Sequence, residues 1–277
     1  MIERLDDALA TLAATEGADP ETVEEQLHDV RKRCKEVRGA ARLVRRPLGA
    51  RYGTFNRLVR DGARELAEIR DAHALSATLD SLTEAAPEQF AHVRAELSDL
   101  AAREHATAAA GDARIDRARQ LLRAARGEAL TWDLGDGLGV IEPGLRRTYR
   151  DARRAWRASK ADPTDEQLHE WRRHTKYLWH QLQLLEPADP EWFAPLLRRL
   201  DRVADVLGDD HDLVLLIDLC AGEPHRFGGR RAAKAAIRLA RRRRRRLRKR
   251  AFKAGAQLFR RRPKRFTRRV RRAWGRA

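Results

Sequence analysis

The sequence lacks most of the features that announce a chemistry. It holds two cysteines, Cys34 and Cys220, too few for a disulfide framework or a four-thiolate metal site. Aromatic residues are 6% of the chain and β-branched residues are few, so a sheet is not expected. No apolar run approaches the ~20 residues of a membrane span. The opening residues, Met1-Ile2-Glu3-Arg4-Leu5-Asp6-Asp7, lack the basic-then-apolar order of a secretory leader, so a cytoplasmic protein with no membrane partner is the expectation. The glycines Gly135-x-Gly137-x-Gly139 are not followed by Lys-Ser/Thr, which excludes a phosphate-binding P-loop. No Ser or Cys sits in a nucleophile setting, and no cofactor is expected. One absence is regional: Arg226–Ala277 contains no Asp or Glu.

That last segment carries 25 Lys+Arg. The whole chain of 277 residues has 59 Lys+Arg, 41 Asp+Glu and a formal net charge of +18. The first 225 residues therefore hold 34 basic and 41 acidic groups, a net of −7. A basic block of this kind reads either as a disordered arm or as a docked helix. Its apolar residues favour the helix. Ala233, Ile237, Ala240, Leu247, Ala251, Ala254 and Leu258 follow three-and-four spacing, one face of a helix broken only by Arg244. Hydrophobic residues at 42% of the chain are enough to bury a core for it to dock on.

The same periodicity runs through the rest of the chain and predicts an all-α protein. Helices are expected over 2–15, 21–46, 50–70, 72–85, 88–127, 143–160, 164–186, 190–207, 209–221 and 229–262, with Gly17, Asp19-Pro20, Pro47, Pro87, Asp162-Pro163, Pro187 and Pro224 as breakers. Asp19-Pro20 and Asp162-Pro163 each read as a cap followed by Pro at the first helical position. An internal repeat is visible. Glu25-Gln26-Leu27-His28 through Lys35 matches Glu166-Gln167-Leu168-His169 through Lys176 at an offset of 141. Further on, Ile69–Leu75 parallels Leu207–Leu213 at an offset of 138. Two pseudo-symmetric four-helix bundles are the expected architecture, over 1–134 and 135–277, joined at the glycines of 132–139.

The repeat carries a stripe. His28, Arg31, Lys32, Lys35, Arg38 and Arg42 lie three or four apart, as do His169, Arg172, Arg173, Lys176 and His180. Like charges on one helix face repel, so helix stability alone does not select them. Arg146, Arg150, Arg153 and Arg157 form a third stripe, and Arg238, Arg241 and Arg245 on the basic helix extend the track. Basic helices lining a groove attract a linear polyanion. Phosphate suits it, because Arg donates paired hydrogen bonds to phosphate oxygens and Lys supplies a point charge.

These residues resemble the CHAD family, the conserved histidine α-helical domain, over nearly the whole chain. The likeness rests on His28-x-x-Arg31-x-x-x-Lys35-x-x-Arg38, on Gly144-Leu145-Arg146-Arg147-Thr148-Tyr149-Arg150-Asp151-Ala152-Arg153 and on Leu168-His169-Glu170-Trp171-Arg172-Arg173-His174-Thr175-Lys176-Tyr177-Leu178. It continues in Leu207-Gly208-Asp209-Asp210-His211-Asp212 and in Ala254-Gly255-Ala256-Gln257-Leu258-Phe259. The resemblance implies a pair of four-helix bundles whose histidines and basic residues bind inorganic polyphosphate without catalysis, and a location at polyphosphate granules. Glu36 and Trp179 stand where the family commonly has basic residues. The family's Arg-Asp dipeptide, Arg70-Asp71 here, reads as structural.

Two other chemistries compete. Asp209-Asp210-His211-Asp212, with His169, His174 and Asp218, has the residue types of a metal-dependent phosphohydrolase, although Asp209 also suits a helix cap. The Arg block suits nucleic acid, but its aromatic residues are not interleaved as stacking platforms. The tryptophans Trp156, Trp171 and Trp179 read as core or groove wall. His92, His105 and His225 have no repeat partner.

Overall fold

The computed structural model describes residues 1–66, 78–80, 82, 91–109 and 112–275, apart from the side chains of 20, 92, 101 and 104–109. The expected repeat match at 69–75, Arg70-Asp71 and the His92 and His105 side chains lie outside the described residues. Among the described residues the protein is all-α, with no strand.

Helices α1 (Ile2–Ala13), α2 (Pro20–Leu43), α3 (Arg45–Leu48) and α4 (Ala50–Glu65) are followed by α5 (Ala91–Ala109) and α6 (Ala113–Leu130). Then come α7 (Leu138–Ala161), α8 (Asp165–Gln183), α9 (Pro190–Gly222), α10 (Gly229–Leu258) and α11 (Pro263–Trp274). Helix α2 starts as its sequence dictates: the Asp19 carboxylate accepts from the Glu21 and Thr22 amides at 3.1 and 3.0 Å, with Pro20 at the first position. It buries Val23, Leu27, Val30, Cys34, Val37 and Ala41, a face at three-and-four spacing. The opposite face is left for the charged stripe. These side chains form one core with Leu5, Leu12, Phe55, Val59 and Leu122. A second core gathers Tyr149, Trp171, Leu178, Phe193, Leu200, Leu247 and Phe259 from α7–α10. Leu79, Val93 and Leu97, from the first half of the chain, pack into this second core.

Several expected boundaries move, each for a physical reason. The stretch 88–127 is two helices, the second capped by Asp112, whose carboxylate accepts from the Arg114 amide at 2.8 Å. The stretches 190–207 and 209–221 are one continuous helix, α9. Gly208 is not a breaker there. A Cβ at Gly208 would lie 3.1 Å from the Arg172 guanidinium, so the glycine makes room for that side chain. Asp209 is consequently mid-helix and not a cap. Asp162 ends α7, and Thr164 caps α8 by accepting from the Gln167 amide at 3.3 Å. Helix α7 begins at Leu138, so only the first part of the glycine-rich 132–139 is a connection.

The basic block is a docked helix, α10, followed by a second docked helix, α11. Helix α10 buries Ala233, Ala236, Ala240, Leu247, Ala251, Gly255 and Leu258, close to the seam read from spacing. Arg244, which breaks that seam, reaches Asp210 of α9 at 3.1 Å and also pairs with Asp165 of α8. Arg248 makes the same two contacts at 3.2 and 2.6 Å. Asp210 is 3% exposed, so its two guanidinium partners satisfy a charge that could not otherwise be buried. Helix α11 seats Phe266, Val270 and Ala273 against α7.

Candidate anion-binding cleft

Helices α2 and α8 cross where Gly39 meets His180. A Cβ at Gly39 would lie 2.9 Å from the His180 Cβ, and the Gln181 side-chain amide donates to the Gly39 carbonyl at 3.0 Å. Positions 39 and 180 differ by the 141 residues that also separate the matched segments. The close crossing brings the two stripes face to face, and α9 closes the third side.

The result is a cleft of about 270 Å³ lined by Arg31, Lys35 and Arg38 of α2, by His169, Arg172, Arg173, Lys176, Tyr177 and His180 of α8, and by His211, Asp212 and Leu215 of α9. Six Lys/Arg side chains and three imidazoles face one carboxylate, Asp212. Several of these groups are held by neighbours. Arg31 donates to the Leu66 carbonyl at 3.0 Å and Arg38 to Asn56 at 3.2 Å. The buried Tyr177 ring lies under Arg42 at 3.9 Å and Arg38 at 5.7 Å. Lys176 sits 3.4 Å from Asp201 and 3.3 Å from Asp205, with its ammonium 5.2 Å from the Trp179 ring centre. Arg173 pairs with Glu170 at 2.5 Å. These acids are 41–61% exposed, and exposed pairs contribute only ~0–1 kcal/mol, so an incoming anion can displace them.

The imidazoles of His169, His174 and His180 are pushed toward the neutral form. Burial, with Lys176 and Lys35 adding like charge, pushes His180 down to about 4. Burial and the charges of His211, Arg172 and Arg173 lower His169, whose ring centre is 4.9 Å from that of His211. Burial and Arg173 likewise lower His174. The Nδ1 atom of His180 is buried with no hydrogen-bond partner among the described residues. An anion in the cleft supplies the opposite charge that reverses these shifts.

Of the residues read from the sequence, Arg31, Lys35, Arg38, His169, Arg172, Arg173 and Lys176 line the cleft together. His28 and Lys32 are exposed on α2 outside its lining, and Arg42 sits over Tyr177 at its margin. Arg146 and Arg150 are exposed on α7, the latter 3.5 Å from Asp151. Arg153 donates to the Phe259 carbonyl at 2.8 Å, which places it at the end of α10. Arg238, Arg241 and Arg245 are exposed on α10 and not in the lining. Five lining residues were outside the expected phosphate contacts: Tyr177, His180, His211, Asp212 and Leu215. His180 belongs to the α8 stripe, and Tyr177, His211 and Asp212 stand in the quoted motifs, so these four had a signal. Leu215 had none.

The acidic cluster does not converge. Asp210 is committed to Arg244 and Arg248, Asp209 is exposed mid-helix, and Asp212 faces the cleft. Among the described residues no three His, Cys, Asp or Glu side chains are grouped to hold a metal ion. No helix among them is long and apolar enough to cross a membrane. The family model described as CHAD domain matches residues 3–221. No curated protein and no solved structure matches the chain.

Proposed function

The chain belongs to the CHAD domain family, and on that premise we propose that its cleft binds inorganic polyphosphate without cleaving it. The family is consistent with a polyphosphate-related function. The observation that supports this reading is the convergence of six cationic side chains and three imidazoles from three helices on one cleft. A linear chain of phosphates matches a cleft lined along two crossed helices better than a compact anion does. Arg172 and Arg173 offer paired donors, and Lys35 and Lys176 offer point charges. The exposed arginines Arg146 and Arg150 of α7 and Arg238, Arg241 and Arg245 of α10 would extend the path for a longer polymer. Residence at polyphosphate granules follows from the same reading.

Competition binding tests it: long-chain polyphosphate against duplex and single-stranded nucleic acid at matched charge and salt. Polyphosphate should win. A nucleic acid that wins with sequence preference would replace this function. Arg172→Ala with Lys176→Ala should weaken polyphosphate binding at least tenfold, ~1.4 kcal/mol, with unchanged helicity. Incubation of polyphosphate with divalent metal should release no phosphate. Release that disappears in Asp212→Ala would restore the hydrolase reading.

A further inference from the structure

A second basic hollow lies where α9 begins and α10 ends, built from residues that the cleft does not use. Two depressions of about 540 and 240 Å³ share Arg199, Arg260 and Arg261. The larger is otherwise lined by Ala256 and Gln257. The smaller is backed by Trp192, Pro195 and Leu196. The three arginine side chains are exposed, and none makes an ion pair or side-chain hydrogen bond among the described residues. That sets them apart from Arg226, Arg244, Arg248 and Arg271, which are paired with carboxylates. Three guanidinium groups around one hollow share a single lining carboxylate, Glu191, which leaves a net positive charge for a ligand to neutralise.

The end of a helix normally opposes an anion, because its free carbonyls carry the negative end of the dipole. Here the last carbonyl of α10, at Leu258, and two just past the helix, at Phe259 and Arg261, are engaged. The Tyr149 hydroxyl is within hydrogen-bonding distance of the Leu258 and Arg261 carbonyls, at 3.2 and 3.1 Å, and Arg153 donates to the Phe259 carbonyl at 2.8 Å. Tyr149 keeps its proton, since burial pushes its hydroxyl up to about 12. Arg269, 5.4 Å from the Trp192 ring centre, adds a further positive charge beside the apolar wall. Glu191 is the one acid in the lining of the smaller depression, which the three arginines also line.

We propose that this hollow is a separate site for a nucleoside di- or triphosphate, with the phosphates on Arg199, Arg260 and Arg261 and the base against Trp192, Pro195 and Leu196. Neither a bare phosphate chain nor an uncharged ring uses both halves. Arg260 and Arg261 lie beyond the part of the chain that the family model matches, whereas Arg199, Trp192, Pro195 and Leu196 lie within it.

The test is calorimetric titration of the full chain with ATP and, separately, with inorganic tripolyphosphate, in the Arg172→Ala/Lys176→Ala background that disables the cleft. ATP should bind at one site, and tripolyphosphate at least tenfold more weakly. Adding Arg199→Ala and Arg261→Ala should reduce ATP affinity at least tenfold with unchanged helicity, and Leu196→Ala should weaken ATP but not tripolyphosphate. Absence of saturable ATP binding, or tripolyphosphate binding as tightly as ATP, would overturn the site. Either result leaves the polyphosphate reading of the cleft untouched, because that reading is measured on the unmodified cleft.

Discussion

His180 shows how one side chain can carry both stability and ligand response. Its imidazole is 6% exposed and is held near 4, against ~6.5 in an unfolded chain. The unfolded state therefore binds more protons between these values. The contribution to stability is complete above about pH 6.5 and is lost as pH falls toward 4. The difference amounts to about 3 kcal/mol. Denaturant midpoints measured from pH 7 to 5 should fall for the native protein, and His180→Asn should flatten that slope. Ligand binding has the opposite dependence. His169 and His180 face Lys32, Lys35, Arg172, Arg173, Lys176 and His211, and a polyanion among those charges raises both imidazoles. Polyphosphate affinity should rise as pH drops from 8 to 6, and titrations in buffers of different ionisation heat should report proton uptake. Glycines at contact points behave more simply. A Cβ at Gly255 would lie 2.6 Å from the Trp171 ring and 2.7 Å from that of Trp156, so Gly255→Ala should cost ~1–3 kcal/mol by overpacking, measured by chemical denaturation.

At the scale of the element, α10 was the most legible part of the sequence, because its apolar seam from Ala233 to Leu258 recurs over about seven turns and needs no partner to be recognised. Its one flaw, Arg244, carried the information that a carboxylate must wait on the core. Sequence alone could not say that the carboxylate is Asp210, since that requires α9 to run unbroken through Gly208. Asp210→Ala leaves the Arg244 guanidinium, 13% exposed, with only the half-exposed Asp165. The expected cost is about 3 kcal/mol. It should appear in thermal unfolding, and hydrogen exchange should rise first along α10. The stripes of α2 and α8 were equally legible as faces. Their meeting was not, because it depends on the crossing at Gly39 and on α9 closing the third side. Tyr177, a buried aromatic under two arginines, is invisible to spacing arguments for the same reason. Arg153 has the residue type and spacing that suit a phosphate, and its guanidinium donates to the Phe259 carbonyl outside the cleft lining.

At the scale of the molecule, charge is sorted by region. The cleft's six cations predict a salt dependence. If they alone release counterions, log affinity for polyphosphate should fall against log salt with a slope of about −4. A steeper slope that Arg238→Ala, Arg241→Ala and Arg245→Ala together restore would assign the α10 arginines to the path. An unchanged slope confines binding to the cleft.

The second core also contains Leu79, Val93 and Leu97 from the first half of the chain, and Arg226 reaches back to Glu96 at 2.7 Å. The exposed connection at 133–137 is therefore not a seam along which the protein divides. A backbone nicked there would remain a tight two-fragment complex, and the fragments produced separately should complement each other into one folded particle.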